Sequence, residues 1–294
     1  DSVSPEFNRG SFCYLPYILY AAEKERTTDT RLFENFSASD LDTLPKGEDI
    51  HYWIALWSHT QIEHVKTLVR FLPGRVAVFG YKPLIESLKL PQLQISDEMI
   101  RLGIQNYVQH FDEFKQILLS DCDMHLKGLE GQVYPMFTSY GCPNGCAFCP
   151  ATTNQPRRVV LDEHSVMTHL ILMAALGRTN IHFTDEDFFF DTCRVKQIVD
   201  FLLVRKQAGT VFNFIALASR HTLHKFISRY GSTCLVDAGF KLIEVGLETA
   251  SDSLAASMGK TNAGECARLA ELCSVPILWL TMTFYPGETI ATLR

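Results

Sequence analysis

The stretch that decides the fold is "TSYGCPNGCAFCPA", residues 138–151, which places Cys142, Cys146 and Cys149 at the spacing C-x3-C-x2-C. Clustered thiols of this kind are typical of metal sites. Structural zinc sites close with four ligands, and no second Cys or His pair of suitable spacing follows. An iron–sulfur cubane usually takes thiolates, and three of them would leave one iron open to an outside ligand. We therefore expect a cluster here, with zinc as the alternative.

The composition is that of a globular protein with room for one large or two ordinary domains in 294 residues. The net charge of −6 gives no reason to expect a nucleic acid or an anionic membrane as a partner. Six of the nine cysteines are scattered, which is a poor disulfide framework and predicts a reducing, cytoplasmic location. No run of eighteen apolar residues occurs, so no membrane span is expected.

Around and after the cysteines, apolar runs typical of strands alternate with helical patterns. This order predicts a partial (β/α)6 barrel of the TIM type over residues 131–294, apparently truncated after its fifth strand. Candidate functional residues come at the carboxyl ends of the predicted strands, which form the active face of such barrels. The five predicted strands with their loops are residues 133–141, 180–190, 211–219, 241–249 and 276–288.

The first half of the chain shows a similar alternation. Predicted strands at 51–58 and 75–81 are separated by a helix that Thr60 could cap, and a second helix follows Ser96 as its N-cap. We therefore predict an N-terminal Rossmann-like, doubly wound α/β domain over residues 1–130. The boundary is expected in the polar segment 121–131.

The segment "CPNGCAFC", residues 142–149, resembles the C-x3-C-x-aromatic-C signature of the radical S-adenosylmethionine (SAM) superfamily. That family folds as a partial βα barrel and binds a [4Fe–4S] cluster, whose open iron is chelated by SAM. An electron from the cluster then splits SAM into methionine and a 5'-deoxyadenosyl radical, which abstracts hydrogen. The resemblance implies that Cys142, Cys146 and Cys149 are the metal ligands, and that Phe148 lies against the adenine.

The segment "FTDEDFFF", residues 183–190, resembles the F-x-D-D-x-F stretch of the subgroup that often carries an N-terminal cobalamin-binding domain. It stands where other members have a Gly-Gly-Glu stretch that binds the SAM ammonium. The resemblance implies that Asp185, Glu186 and Asp187, taken as a set, bind this cation, since a carboxylate pairs well with an amine. The alternative is a solvated acidic turn.

The segment "ALASRHTL", residues 216–223, resembles the third-strand stretch of the same subgroup and ends in Arg. It implies that Ser219 and Arg220 meet the ribose and the carboxylate of SAM. For Arg220 the alternative is a surface ion pair. Residues 155–160, "QPRRVV", resemble the basic stretch that follows the cluster loop in the family, and Arg157 and Arg158 are interpreted as solvated surface residues.

Two later segments extend the resemblance. "IEVGLETASDSLAASMGK", residues 243–260, matches the subgroup's fourth-strand pattern and implies that Glu248 points toward SAM. A carboxylate that caps a helix is the alternative for Glu248. "FYPGET", residues 284–289, matches the loop after strand five, although Phe284 stands where the family often has Gly.

Cobalamin is a candidate cofactor, but the sequence of the first domain argues against it. The first domain resembles a cobalamin-binding domain in position and order, yet the literal Asp-x-His-x-x-Gly match, residues 123–128, lies at its end instead of after its first strand. Where the family has a Gly-Gly loop, Gly80 is followed by the bulky Tyr81 and Lys82, which would hinder a corrin nucleotide tail. We therefore expect a degenerate domain that shapes the substrate site.

The resemblance as a whole implies a radical SAM enzyme that acts on an unidentified small-molecule or peptide substrate. An external donor of the flavodoxin or ferredoxin type would supply the electron. One alternative is a cobalamin-dependent radical SAM methyltransferase, and another is a non-catalytic zinc or iron–sulfur binding module. Because no sixth strand follows, we expect a missing segment or a partner to complete the barrel.

Overall fold

A computed structural model gives the structure of the chain. It describes residues 15–24, 26, 30, 44, 50–56, 61–72, 74–80, 82–107, 133–146, 148–149, 158–260, 264–282, 285–290 and 292. Thr60, the segment 121–131 and the 123–128 motif lie outside the described residues, so the expectations that concern them stay predictions.

Helices and strands alternate along most of the described chain. The helices are α1 (Leu15–Lys24), α2 (Ile62–Phe71), α3 (Lys82–Leu88), α4 (Asp97–Tyr107), α5 (Glu163–Ala175), α6 (Thr192–Gln207), α7 (Arg220–Tyr230), α8 (Thr233–Ala238), α9 (Asp252–Ser257) and α10 (Gly264–Leu272). The strands are β1 (His51–Leu56), β2 (Arg75–Gly80), β3 (Tyr134–Met136), β4 (Ser139–Tyr140), β5 (Val159–Val160), β6 (Asn180–Phe183), β7 (Asn213–Ala218), β8 (Phe240–Glu248) and β9 (Ile277–Thr281).

The main sheet has five parallel strands in the order β3-β6-β7-β8-β9. Each strand pairs with the next one along the sheet, and helices connect successive strands, as expected for right-handed βα units. The prediction of an α/β fold with a parallel sheet is thus confirmed, and the topology is consistent with a partial TIM-type barrel. All carboxyl ends of these strands meet at one edge, which we call the carboxyl edge.

The first predicted barrel strand is wrong in one respect, because residues 133–141 do not form a single strand. β3 ends at Met136, and β4 leaves the main sheet to pair antiparallel with β5. The physical reason lies at Thr138, whose backbone N–H donates to the carboxylate of Asp185 (3.0 Å) instead of to a neighbouring strand. The chain therefore turns away just before the cysteines.

Aromatic rings fill the layer between the main sheet and its helices. Phe183 stacks on Phe188 and Phe214 with ring centroids 4.4 and 4.9 Å apart, and Phe240 lies 5.3 Å from Phe214. All four rings are buried in one core with helix residues such as Phe226. Rings of this size bury more apolar area than other side chains, so they fix the helices against one face of the sheet.

Side-chain caps begin most of the barrel helices where the sequence offers Ser or Asp. The hydroxyl of Ser96 accepts from the N–H of Met99 (3.1 Å), which confirms the predicted N-cap of α4. Asp162, Asp191 and Ser251 cap α5, α6 and α9 in the same manner. These caps satisfy N–H groups that the helices cannot pair internally.

The N-terminal part contains one parallel pair, β1 with β2, joined through α2. Val65, Val78 and Ile85 form a small core of its own. Helices α1 and α4 instead join the barrel core, where Tyr107 meets Phe137 edge-on at 5.5 Å. The described residues therefore show one βαβ unit attached to the barrel through α1 and α4. No helix in the described part of the chain is long and apolar enough to cross a membrane.

Candidate active site at the carboxyl edge

The three clustered cysteines lie on the loop that follows β4. None of the three is in a disulfide, all three are half-buried, and the N–H of Cys149 donates to the carbonyl of Cys146 (3.1 Å) in a tight turn. Gly141 begins the loop with φ 95°, a conformation that glycine adopts without strain. Among the described residues, no three His, Cys, Asp or Glu side chains converge on a metal position. For the three thiols to share one metal group, the loop would have to draw them together.

Burial raises the pKa of the Cys142 thiol to about 11. The negative charges of Asp187 and Glu186, and the neighbouring Cys149, contribute to this raised pKa, while a hydrogen bond from the backbone of Asn144 opposes it. Cys142 is therefore a thiol at neutral pH in the metal-free chain. A metal ligand must be a thiolate, so metal binding here has to displace a proton.

Asp185 is fully buried and binds the residues that precede the cysteine loop. Its carboxylate accepts from the N–H and hydroxyl of Thr138 (3.0 and 2.6 Å) and from the hydroxyl of Ser139 (2.5 Å). Arg194, also buried, donates to the Thr138 hydroxyl (3.0 Å) and carbonyl (2.9 Å). These bonds tie the end of β6 to the start of the cysteine loop.

Only one of the two carboxylate oxygens of Asp187 accepts hydrogen bonds from described residues. Its Oδ1 accepts from the hydroxyl of Thr222 (2.7 Å) and from the N–H of Ser219 (3.3 Å). Its Oδ2 is buried and has no hydrogen-bond partner within the described ranges. A buried unpaired carboxylate oxygen is costly, so it fits a cationic group that arrives with a ligand. The burial of Asp185 and Asp187 excludes the solvated acidic turn.

Glu186, between them, accepts from the N–H of Gly141 (3.0 Å). Its negative charge contributes to raising the pKa of Cys142 and of Tyr140, although burial is the larger cause for both. Glu186 and Asp187 therefore lie close to Gly141 and Cys142, where the cysteine loop begins.

Ser219 and Arg220 begin α7 directly after β7. The Ser219 hydroxyl accepts from the N–H of Thr222 (3.3 Å) as the helix N-cap. Arg220 is buried and its Nη1 donates to Sγ of Cys266 on α10 (3.4 Å), so it is not the surface ion pair considered above. Both residues lie at the carboxyl edge, where a ligand of Asp187 would also lie.

Glu248 ends β8 with φ 63°, an uncommon conformation for a residue with a side chain. Its carboxylate lies 3.4 Å from the ammonium of Lys260 and folds back over Gly246, where a Cβ would collide with it. Ser251 caps the next helix, so the helix-capping interpretation of Glu248 is wrong. Strain of this kind is concentrated at functional sites.

Lys260 connects Glu248 with the cysteine loop. Its ammonium lies 5.8 Å from the centre of the Phe148 ring, and Tyr285 meets the same ring edge-on at 6.4 Å. Phe148 and Glu248 thus both contact the Lys260 cation, and Tyr285, from the loop after β9, packs against Phe148.

Three basic residues of the site were missed or misinterpreted from the sequence. Arg158 is half-buried and donates to the Ser139 hydroxyl (3.1 Å) and the Asp187 carbonyl (3.3 Å), which corrects its interpretation as a solvated residue. Arg194 bonds to partners 33 and 56 positions away, so no local pattern could reveal it. Lys260 is the last residue of the matched segment 243–260, so the family pattern could have identified it as a candidate.

Two cavities of about 310 and 580 Å³ lie elsewhere, near Pro276 and near Thr179. Their linings belong to the amino ends of β9, β6 and β7 and include none of the predicted site residues. We place the site at the carboxyl edge, because the buried unpaired carboxylate and the cysteines lie there.

The sheet is parallel, and a loop with three cysteines lies beside buried acids at its carboxyl edge. This combination is typical of enzymes built on a βα barrel. The chain belongs to the radical SAM superfamily, whose family model matches residues 136–294. It is therefore an enzyme of a family that uses a [4Fe–4S] cluster and SAM.

Two solved structures share the fold, and both are of the radical SAM methyltransferase TsrM from Kitasatospora setae. One contains tryptophan substrate and the SAM analogue aza-SAM, and it matches with TM-score 0.64 and 13% identity over 95% of this chain and 66% of that one. The other contains cobalamin and a [4Fe–4S] cluster, and it matches with TM-score 0.65 and 13% identity over 95% and 68%. This chain spans about two thirds of their length. No curated protein sequence matches it.

Proposed function

We propose that the chain cleaves SAM reductively and uses the resulting 5'-deoxyadenosyl radical to abstract hydrogen from an organic substrate. Cys142, Cys146 and Cys149 would hold the [4Fe–4S] cluster through three irons. When bound, the cluster supplies the electron that breaks the sulfonium C–S bond and releases methionine. The donor set supports this assignment, because three half-buried cysteines outside any disulfide lie on one loop at the spacing C-x3-C-x2-C.

The observation that carries the proposal is the buried, unpaired Oδ2 of Asp187 beside the cysteine loop. SAM carries an ammonium, and a carboxylate without a partner is a strong acceptor for it. Glu186 would hold the loop through Gly141 and Asp185 through Thr138, while Asp187 keeps a buried oxygen for the ligand. Phe148 would take the adenine on its face, with Glu248 and Lys260 fixing the ring.

Ser219 and Arg220 would meet the ribose and the carboxylate of SAM, since both lie at the carboxyl edge next to Asp187. We further propose a small-molecule or peptide substrate, a flavodoxin or ferredoxin type of electron donor, and a cytoplasmic location. The cysteines scattered outside the loop are typical of a reducing compartment and support the proposed location.

A second candidate is cobalamin-dependent methyl transfer. The fold match to a cobalamin-containing methyltransferase extends over 95% of this chain and so includes its N-terminal part. Gly80 at the end of β2, followed by Tyr81 and Lys82, argues for a degenerate domain instead. Cobalamin that remains bound after anaerobic purification of the full chain would favour methyl transfer.

Anaerobic reconstitution tests the leading proposal. We expect about four irons with matching sulfide per chain, and 5'-deoxyadenosine after reduction with dithionite in the presence of SAM. The variant with all three loop cysteines changed to Ala should give neither. Absence of 5'-deoxyadenosine from the wild type, or an undiminished yield from the variant, would refute the proposal, and one zinc per chain would favour the non-catalytic module.

A further inference from the structure

The main sheet has a second face, opposite the helix-packed core. Phe183, Ala216 and Val245 pack toward the helices, so the residues that alternate with them project from the other side. We call this side the inner face. Strand register places its side chains next to one another in two rows, which are His182, Ile215 and Leu242 in one and Leu217, Glu244 and Leu278 in the other.

His182 and Glu244 are the two polar residues of these rows. Nε2 of His182 lies 3.4 Å from Oε2 of Glu244, and the side chains are only 14% and 19% exposed. The contact lacks hydrogen-bond geometry, and the His182 Nε2 atom is buried without a hydrogen-bond partner among the described residues. No further hydrogen bond or ion pair involves Glu244 in the part of the chain that the structure describes.

We propose that His182 and Glu244 form a recognition site for an organic substrate with an apolar body and a hydroxyl group. A hydroxyl can donate to the Glu244 carboxylate while it accepts from a proton on Nε2 of His182, and so it satisfies both atoms at once. Leu217 and Leu278, which are partly exposed, match an apolar body, whereas Ile215 and Leu242 are already buried. A few polar groups in an apolar lining are typical of sites that orient small molecules.

The position of the pair suits a substrate anchor. Glu244 lies four residues before Glu248 on β8, roughly 13 Å along the strand from the carboxyl edge. A substrate held there by its hydroxyl would extend toward the edge where SAM is proposed to be cleaved. The substrate role thus rests on the proposed function, whereas binding itself does not require SAM cleavage.

The buried, unpaired Nε2 distinguishes this site from a structural ion pair. A pair kept for stability would gain by a direct hydrogen bond, and a buried polar atom without one costs free energy. A bridging hydroxyl removes that cost. An ordered water could occupy the same position, and the test must separate the two.

Matched probes make the test specific. 4-Fluorophenol and 4-fluorotoluene have similar shapes and differ in a hydroxyl in place of a methyl group. Their affinities for the reconstituted holoenzyme can be measured by fluorine NMR of the probe, which detects weak binding. We expect the phenol to bind about tenfold more tightly than the toluene, as one well-made hydrogen bond provides.

Glu244→Gln should reduce this preference to about twofold, because an amide accepts less strongly than a carboxylate. His182→Leu should abolish the preference. Glu271→Gln, at an exposed carboxylate on α10, should leave it unchanged. Iron content and the far-UV circular dichroism spectrum should stay at the wild-type level in all three variants, which shows that they fold.

Equal affinities for the two probes, no binding of either, or a preference that survives His182→Leu would overturn the proposal and leave the pair to water. These outcomes are independent of the proposed function, which is tested by the yields of 5'-deoxyadenosine from the wild type and the variant without the three cysteines. A wild type that cleaves SAM but binds the two probes equally well would therefore refute the recognition site and leave the proposed function intact.

Discussion

At the scale of single residues, Lys260 contacts the two side chains through which the cysteine loop and β8 would meet SAM. Its ammonium pairs with Glu248 at 3.4 Å and lies over the ring of Phe148. The side chain of Lys260 is 18% exposed, so its charge is screened less than that of a surface lysine. We expect the cation to fix both partners in the orientation that SAM requires.

Lys260→Met should raise KM for SAM in 5'-deoxyadenosine formation by about fivefold to tenfold, because both the ion pair and the cation–π contact are lost. Lys260→Arg keeps both interactions and should stay within about twofold of the wild type. Iron content should not change in either variant. A lower KM in Lys260→Met would show instead that the lysine competes with SAM for Glu248.

The neighbouring carboxylates of Asp185 and Asp187 differ in their hydrogen bonding. Asp185 has both oxygens occupied by Thr138 and Ser139, whereas Asp187 keeps Oδ2 unpaired. The prediction that the three acids bind SAM as a set can therefore be divided by experiment. Burial and hydrogen bonding of this kind cannot be read from "TDED", because the partners of Asp185 lie 46 and 47 positions away.

Asp187→Asn should weaken SAM binding with little change in Tm, since the amide oxygen can still accept from Thr222. Asp185→Asn should instead lower the free energy of unfolding by about 2 kcal/mol and Tm by on the order of 5 °C, because charge-assisted bonds to the loop are lost. Equilibrium dialysis with SAM and thermal unfolding measure the two effects. The reverse pattern would contradict this division of roles.

At the scale of elements, the carboxyl edge is held together by contacts between strands and their following helices. Thr138 joins β4 to Asp185 after β6 and to Arg194 on α6, while Asp187 joins the same segment to α7. The alternation of strands and helices, the parallel sheet and the Ser96 cap could be predicted from local patterns. The break between β3 and β4 could not, because a side chain distant in sequence takes the Thr138 N–H.

Arg194→Met should destabilise the edge without touching the proposed ligands. The guanidinium makes hydrogen bonds to the Thr138 and Leu161 carbonyls, which would lose their donors inside the core. We expect a loss of about 2–3 kcal/mol in the free energy of unfolding and a lower cluster content at equal protein concentration. Arg205→Met, at the other end of α6, serves as the control.

At the scale of the whole molecule, α4 and α5 form part of the contact between the N-terminal residues and the barrel. His169 on α5 is buried there, and burial lowers its pKa, against a hydrogen bond with the backbone of Gln105 on α4 and the charge of Asp162. Its Nδ1 has no hydrogen-bond partner among the described residues. Protonation of this ring would place a charge inside the contact.

Because the pKa of His169 is lower in the folded chain than in the unfolded one, its neutral form stabilises the fold above the unfolded pKa of about 6.5. This stability is lost as pH falls below that value. Tm should therefore drop more between pH 7.5 and 5.5 in the wild type than in His169→Gln. His164→Gln, at an exposed position on the same helix, should behave like the wild type. Equal pH slopes in all three proteins would contradict the role of His169.

The most direct test of the central claim is the EPR spectrum of the anaerobically reconstituted, dithionite-reduced protein, recorded before and after addition of SAM. The account predicts the signal of a reduced [4Fe–4S] cluster whose shape changes with SAM, because the nucleotide ligates the iron that Cys142, Cys146 and Cys149 leave open. A spectrum without such a cluster, or a cluster signal that SAM leaves unaltered, would contradict it.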